Sequence, residues 1–373
     1  MNLAITFPIE EVQNGKPFIL SGKNSYYIGN SNLKPQGFGN HIKGEMNGLW
    51  FPPLRILKWI TVKNNVEYLA PESVLTNYTS GTFKFKEFKL SLLSSGGKYF
   101  QIALEKLFQT MKPVQLVLEI GILPVWFSER VVDYSISSDR KAIVIREKNY
   151  DLQAVITSNN DEKFVFNKDR VTFNVSNSTT INVTVMKSDE ISVSERNSGQ
   201  EISEYGSNFV KCLMEKTRLD GENPIADAFQ LASLNLHWLY LEIDNIGSGI
   251  VAGYPDFPWF FGIDTYYNSR GLLICGMLSE YENTLKILEN YSKTQNGRIP
   301  HEIVSNGRVY NSGNLVESLA YPSMIWMYEY TGNSKFLEER KGMIFNSIHS
   351  HIRSNLKGTG IMEYHLSIAN TYF

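Results

Sequence analysis

The chain has 373 residues, 42% of them hydrophobic and 20% charged, with a formal net charge of −2 at pH 7. That profile belongs to a folded globular protein long enough for two domains, and it gives nucleic acid or an anionic membrane no electrostatic purchase. No run approaches the roughly 18 apolar residues of a membrane span, and the two cysteines, Cys212 and Cys275, exclude a cysteine-built zinc site and argue against a disulfide framework. Met1–Phe7 lacks a basic stretch followed by a long apolar core, so no signal peptide is read and a cytoplasmic location is expected.

Up to about residue 190 the segments are short, β-branched or aromatic, and often alternating. Strands are expected at Leu3–Pro8, Ser25–Ile28, Val66–Leu69, Thr82–Leu92, Val114–Ile122, Lys141–Arg146, Leu152–Thr157, Lys163–Phe166 and Thr180–Met186. Asn14-Gly15, Ser95-Gly96-Gly97, Asn159-Asn160-Asp161 and Ser176-Asn177-Ser178 punctuate them as turns. Strands at this spacing indicate an antiparallel β-sandwich over residues 1–190. One short helix is expected at Phe100–Met111, where Ile102, Leu104, Leu107 and Phe108 fall near helical spacing.

Residues 188–207 are polar and read as a linker. Residues 208–373 then turn helical. Asn223-Pro224 reads as a cap with proline in the first turn, and Ile225, Ala228, Phe229, Ala232, Leu236 and Leu239 follow as an apolar stripe. Further helices are expected at Phe209–Lys216, Thr265–Leu278, Tyr281–Lys293, Leu315–Tyr330 and Ser334–Ser354, about six in all, joined by long aromatic and Gly-rich loops.

Two of those loops carry the chemistry. Ala252–Tyr267 packs seven aromatics, two prolines and two carboxylates into a loop that runs into a helix. An aromatic shelf of Tyr254, Trp259 and Phe260 beside the Asp264 carboxylate suits a sugar ring, whose apolar face stacks while its hydroxyls take charged acceptors. Asp264 also suits the helix N-cap, a role that would hold it rigid and ionised. Asp256 reads as a turn residue. Arg270, six residues beyond Asp264, is not at pairing distance along a helix and reads as structural.

The second loop, Asn296–Ser318, delivers His301, Glu302, Tyr310, Asn311, Asn314 and Glu317 ahead of an apolar helix. Glu317 falls in that helix's first turn, where it complements the dipole; it is also the candidate catalytic carboxyl. No second histidine lies at ligand spacing from His301, so no metal is expected. Walker, dinucleotide-fingerprint and Gly-x-Ser-x-Gly signatures are missing, and no cofactor is expected.

Ala252-Gly253-Tyr254-Pro255 leading to Trp259-Phe260-Phe261-Gly262-Ile263-Asp264-Thr265, Gly297-Arg298-Ile299-Pro300-His301-Glu302 leading to Tyr310-Asn311, and Tyr328–Asn333 with Phe336-Leu337 resemble glycogen-debranching-type proteins, relatives of glucoamylases and amylo-α-1,6-glucosidases. Gly44–Pro53 fits the same family more weakly. The resemblance implies a β-sandwich followed by an (α/α)6 toroid, and inverting hydrolysis of α-glucosidic bonds in glycogen- or starch-like glucans. It implies that Asp264 holds hydroxyls of a terminal glucose. The family's usual Gly-Arg-Asp is Gly262-Ile263-Asp264 here, so an aliphatic residue replaces the cation.

A toroid needs twelve helices where this chain supplies about six, and inverting hydrolysis needs an acid and a base roughly 6.5–9.5 Å apart. The helical domain is therefore expected to be incomplete. Such a chain would expose apolar helix faces and is expected to pair with a second copy, to pair with a second polypeptide, or to be a truncated product inactive on its own. The alternative to a hydrolase is a non-catalytic carbohydrate-binding or regulatory subunit using the same loops.

Overall fold

The computed structural model describes residues 5–39, 44–94, 96–108, 112–125, 129–137, 142–159, 164–188, 224–311 and 316–355. The chain divides into two compact units, Met1–Lys211 and Cys212–Phe373.

In the first unit, Phe88–Ser94 and Thr179–Lys187 alternate strictly between buried and half-buried positions. That period-2 pattern turns one face of each strand inward. A nine-stranded sheet runs, edge to edge, Ile5–Phe7, Ser73–Thr76, Ser80–Lys84, Phe88–Ser94, Tyr99–Lys106, Thr179–Lys187, Leu152–Ser158, Ala142–Glu147 and Val132–Ile136. A seven-stranded sheet runs Phe164–Asn167, Arg170–Val175, Val114–Pro124, Leu54–Lys63, Gly48–Phe51, Tyr26–Asn30 and Pro17–Ser21. Every pairing in both is antiparallel. Their inner faces share one apolar core, with Phe18 against Phe83 at 5.3 Å and Tyr27 against Phe100 at 5.8 Å between ring centroids. This is an antiparallel β-sandwich.

One buried cation braces it. Arg55 donates to the carbonyls of Gly121 (2.9 Å) and Glu45 (2.8 Å) and to Glu45 Oε2 (3.0 Å). Burial pushes the Glu45 carboxyl up, but Arg55 and Lys58 more than offset this and leave it below the ordinary carboxylate value.

Three expectations fail in this unit. The strand expected over Thr82–Leu92 is two strands, Ser80–Lys84 and Phe88–Ser94, paired antiparallel as a hairpin. The helix expected at Phe100–Met111 is a strand over Tyr99–Lys106, with Phe100, Ile102 and Leu104 buried at every second position. Leu107 and Phe108, which suggested helical spacing, are exposed, and residues 109–111 lie outside the described ones. Val66–Leu69 is a turn rather than a strand. Asn64 Oδ1 accepts the amides of Val66 (2.9 Å) and Glu67 (2.7 Å), closing the chain back so that Tyr68 bridges Lys63.

The polar stretch beyond residue 188 and the helix expected at Phe209–Lys216 lie outside the described residues. In the second unit the described α-helices are Pro224–Trp238, Gly262–Ile274, Leu278–Lys293, Val316–Met327 and Ser334–Asn355, with a 3-10 turn at Tyr328–Thr331. A β-hairpin, Tyr240–Ile243 with Gly247–Ile250, follows the first helix. Tyr321 Oη and Arg340 Nε both donate to Glu289 Oε1 at 2.8 Å, tying three helices around one carboxylate.

The apolar stripe expected on Pro224–Trp238 is not its inner face. Ile225, Ala228 and Ala232 are exposed, while Ala226, Gln230, Ser233 and Leu234 are buried. Small residues win there because the contact is close: Ser233 Oγ lies 3.1 Å from Cys275 Sγ. Apolar side chains stay exposed on other helices too, notably Tyr267, Ile274, Trp326 (56% exposed), Tyr330 (82%) and Phe345. The described helices do not form a closed toroid.

Candidate functional site

Three two-residue strands gather the site. Phe260–Phe261 pairs with Glu302–Ile303, which pairs with Val309–Tyr310, so Phe261, Glu302 and Tyr310 stand in line across one small sheet. The two loops singled out by sequence are thus joined by backbone hydrogen bonds.

The chain enters the Gly262–Ile274 helix straight from a strand. Phe261 occupies the N-cap with extended backbone (φ −126°, ψ 138°) and no side-chain cap. Asp264 therefore does not cap the helix, contrary to the sequence expectation. It is the third helical residue, half-buried, and its carboxylate meets its own backbone N–H. Burial raises the Asp264 pKa, that N–H and His301 draw it back, and Glu317 adds to the rise.

Gly262 is glycine for a steric reason. A Cβ there would sit 2.5 Å from the Pro300 carbonyl oxygen and 2.8 Å from Glu317 Cγ. Its N–H donates to the His301 carbonyl at 3.0 Å. This close approach puts the first turn carrying Asp264 against His301 and Glu317.

The strongest polar contact in the site joins His301 Nδ1 to Glu317 Oε1 at 2.6 Å, with side chains 29% and 1% exposed. Glu317 Oε2 has no hydrogen-bond partner among the described residues. Burial pushes the His301 imidazole down, but the Glu317 hydrogen bond and charge, with Glu302 and Asp264, outweigh it and hold the pKa above the ordinary histidine value. Burial lowers Arg298, and Glu317 works against that. The Glu317 side chain, offered by sequence as the candidate catalytic carboxyl, is closed to solvent in this arrangement.

The aromatic shelf differs from the expected one. Trp259 is fully buried (0% exposed) and Phe260 nearly so, so they form the floor of the unit and not a stacking surface. The physical reason is that Ala252 and Trp259 are tied by an amide–carbonyl bond and Phe260 lies in the small sheet, which turns both rings into the core. The rings that line up are Phe257, Phe261 and His301, edge to face at 5.6 and 5.4 Å. Tyr254 is half-buried against Trp238 at 5.3 Å.

Asn311 accepts the His301 amide at 3.3 Å and donates to Gln295 Oε1 at 3.0 Å. Glu302 is buried and Tyr310 half-buried. Asn314 lies outside the described residues. Sequence reasoning missed Phe257, Phe261 and Arg298 as site residues, although all three stand inside the motifs it quoted.

Among the described residues no group of three or more His, Cys, Asp or Glu side chains is arranged to hold a metal ion, and no helix is long and apolar enough to cross a membrane.

No protein-family model and no curated protein matches the chain. Solved structures do. A "putative kojibiose phosphorylase from human microbiome" is similar at TM-score 0.53 and 11% identity, over 94% of this chain and 57% of its own. The periplasmic domain of Thermotoga maritima YidC gives TM-score 0.30 at 12% identity, over 59% of this chain and 95% of its own. A family 81 glycoside hydrolase from Clostridium thermocellum gives 0.21 at 9% identity, over 89% and 65%. The likeness to the first is one of fold, and this chain spans little more than half the length of that structure. The β-sandwich-then-helix architecture is the one thing that comparison establishes.

Proposed function

We propose that the chain handles α-glucosides as a glycoside hydrolase- or phosphorylase-type protein, and that Asp264 and His301 hold a terminal glucose. The observation that carries this is the strand pairing that seats the Asp264 turn directly on the His301–Glu302 segment. A carboxylate acceptor beside a polarised ring donor, edged by Phe257 and Phe261, suits hydroxyl recognition. The sequence resemblance to debranching-type enzymes and the fold of the kojibiose phosphorylase-like structure point the same way.

Inverting cleavage on this fold takes an acid and a base across the glycosidic bond. In this reading Asp264 serves as a hydroxyl ligand, while the Glu317 side chain is buried against His301. That burial favours a second reading, a glucan-binding chain without turnover of its own.

Calorimetry with maltose, kojibiose and isomaltose, paired with assays of glucose release and of phosphate-dependent sugar phosphate formation, tests both. Binding with turnover supports the enzymatic reading, and binding without turnover the second. No binding of any of the three sugars rejects both.

A further inference from the structure

A carboxylate as buried as Glu317 is costly to ionise without a cation at its side. His301 Nδ1 sits 2.6 Å from it. The His301 backbone is held as well: its N–H donates to Asn311 Oδ1, its carbonyl accepts from Gly262, and its ring stands edge-on to Phe261. With Nδ1 committed downward to Glu317, Nε2 is the nitrogen left for a ligand, on a ring that remains partly open to solvent. Asp264, on the helix turn that Gly262 holds against the His301 carbonyl, supplies an acceptor whose charge acts on the ring. A sugar hydroxyl both donates and accepts, so a fixed donor next to a fixed acceptor matches a pair of neighbouring ring hydroxyls better than either alone.

Resting on the sugar site proposed above, we infer that His301 is the cationic donor that sets affinity at that site, and that Glu317 is the positioning residue that aims and charges its ring. The charged groups around the ring are Glu317 from the Val316–Met327 helix, Asp264 from the Gly262–Ile274 helix and the adjoining Glu302. Arg298 acts on Glu317 from the same loop. Three carboxylates face two cationic groups, which favours the imidazolium. The active window lies between two titrations. Below it Asp264 takes a proton and is no longer a charged acceptor; above it His301 loses one and its positive charge.

The test uses the full chain labelled with 15N-histidine, the His301 signal being identified by its loss in His301→Gln. The ring should titrate above about 6.5, and Glu317→Gln should move its midpoint down by about one pH unit or more. Calorimetry with maltose and kojibiose should show affinity falling about 10- to 100-fold as pH rises through the wild-type midpoint. Glu317→Gln should move that fall to lower pH by the same displacement, and His301→Gln should bind weakly with no alkaline fall. If Glu317→Gln does not fold, Glu317→Asp, which withdraws the carboxylate from the ring, takes its place and should also lower the midpoint; a midpoint unmoved in the folded Glu317 variant overturns its positioning role. A midpoint at or below the ordinary histidine value, or sugar affinity flat across the midpoint, overturns the inference and leaves the sugar site standing. Absence of sugar binding at every pH removes both.

Discussion

Single side chains in the second unit are held to tight tolerances, and Gly262 is the sharpest case. A methyl group there meets the Pro300 carbonyl oxygen, which is backbone and has nowhere to rotate. Gly262→Ala should cost about 1–3 kcal/mol of stability through overpacking. It should also loosen the His301–Glu317 contact, because Glu317 Cγ and Cβ lie against the same spot. Thermal unfolding together with the His301 midpoint checks this; an unchanged stability and midpoint would show that the contact is not tight. The residue scale was also where sequence reading was weakest. Asp264 and His301 were each legible as candidates, one from each of the two loops. That Glu317 lies under His301 was not, because burial depends on Gly262 lacking a side chain and on two helices meeting there. Nor was the sealing of Trp259, since a tryptophan in an aromatic run after Pro258 reads alike whether it faces a ligand or the core.

At the scale of elements, the period of the pattern decided what could be read. Thr82-Phe83-Lys84-Phe85-Lys86 alternates cleanly, and Phe83 and Phe85 are buried as expected. Tyr99–Lys106 misled because Ile102, Leu104, Leu107 and Phe108 also fit a helical stripe. The alternation of Phe100, Ile102 and Leu104 was the true signal, imposed by a core shared between two sheets. On Pro224–Trp238 Ile225 and Leu231 face outward while Leu234 is buried, and the contact with Cys275 runs through Ser233. Composition therefore misassigns the faces of helices whose apolar side chains remain open. Two tryptophans separate the two environments. Trp259→Ala should cost about 3–5 kcal/mol, whereas Trp326→Ala, on an exposed face, should stay within about 0.5 kcal/mol. Denaturant midpoints measure both. Equal costs would contradict the assignment of one ring to the core and the other to the surface.

For the molecule as a whole, the two units respond to pH with opposite sign. In Met1–Lys211, Glu45 titrates below its ordinary value, so its contribution is present above the unfolded pKa and is lost as pH falls through the folded one. In Cys212–Phe373, His301 titrates above its ordinary value. Its contribution is complete below the unfolded pKa and is lost as pH rises through the folded one. The raised Asp264 acts in the same direction at lower pH. Hydrogen-exchange protection, corrected for intrinsic rates, should fall for Gly262–Ile274 amides between about pH 6 and 8 while staying level for Leu54–Lys63. Below about pH 5 the Leu54–Lys63 amides should lose protection. A parallel response of both segments would contradict the two local charge balances. The sandwich-then-helix order was legible from the change of period near residue 200, and agrees with the fold of a longer structure of which the match covers 57%.

Asp264 is the proposed sugar ligand, and one titration tests that role most directly. Maltose and kojibiose are titrated calorimetrically at pH 6 into the wild-type chain and into Asp264→Asn, with thermal unfolding run on both. The account expects saturable binding by the wild type of at least one sugar, about 10-fold or more weaker in a stably folded Asp264→Asn. Equal affinity in the two proteins, or no sugar bound by the wild type, would contradict it.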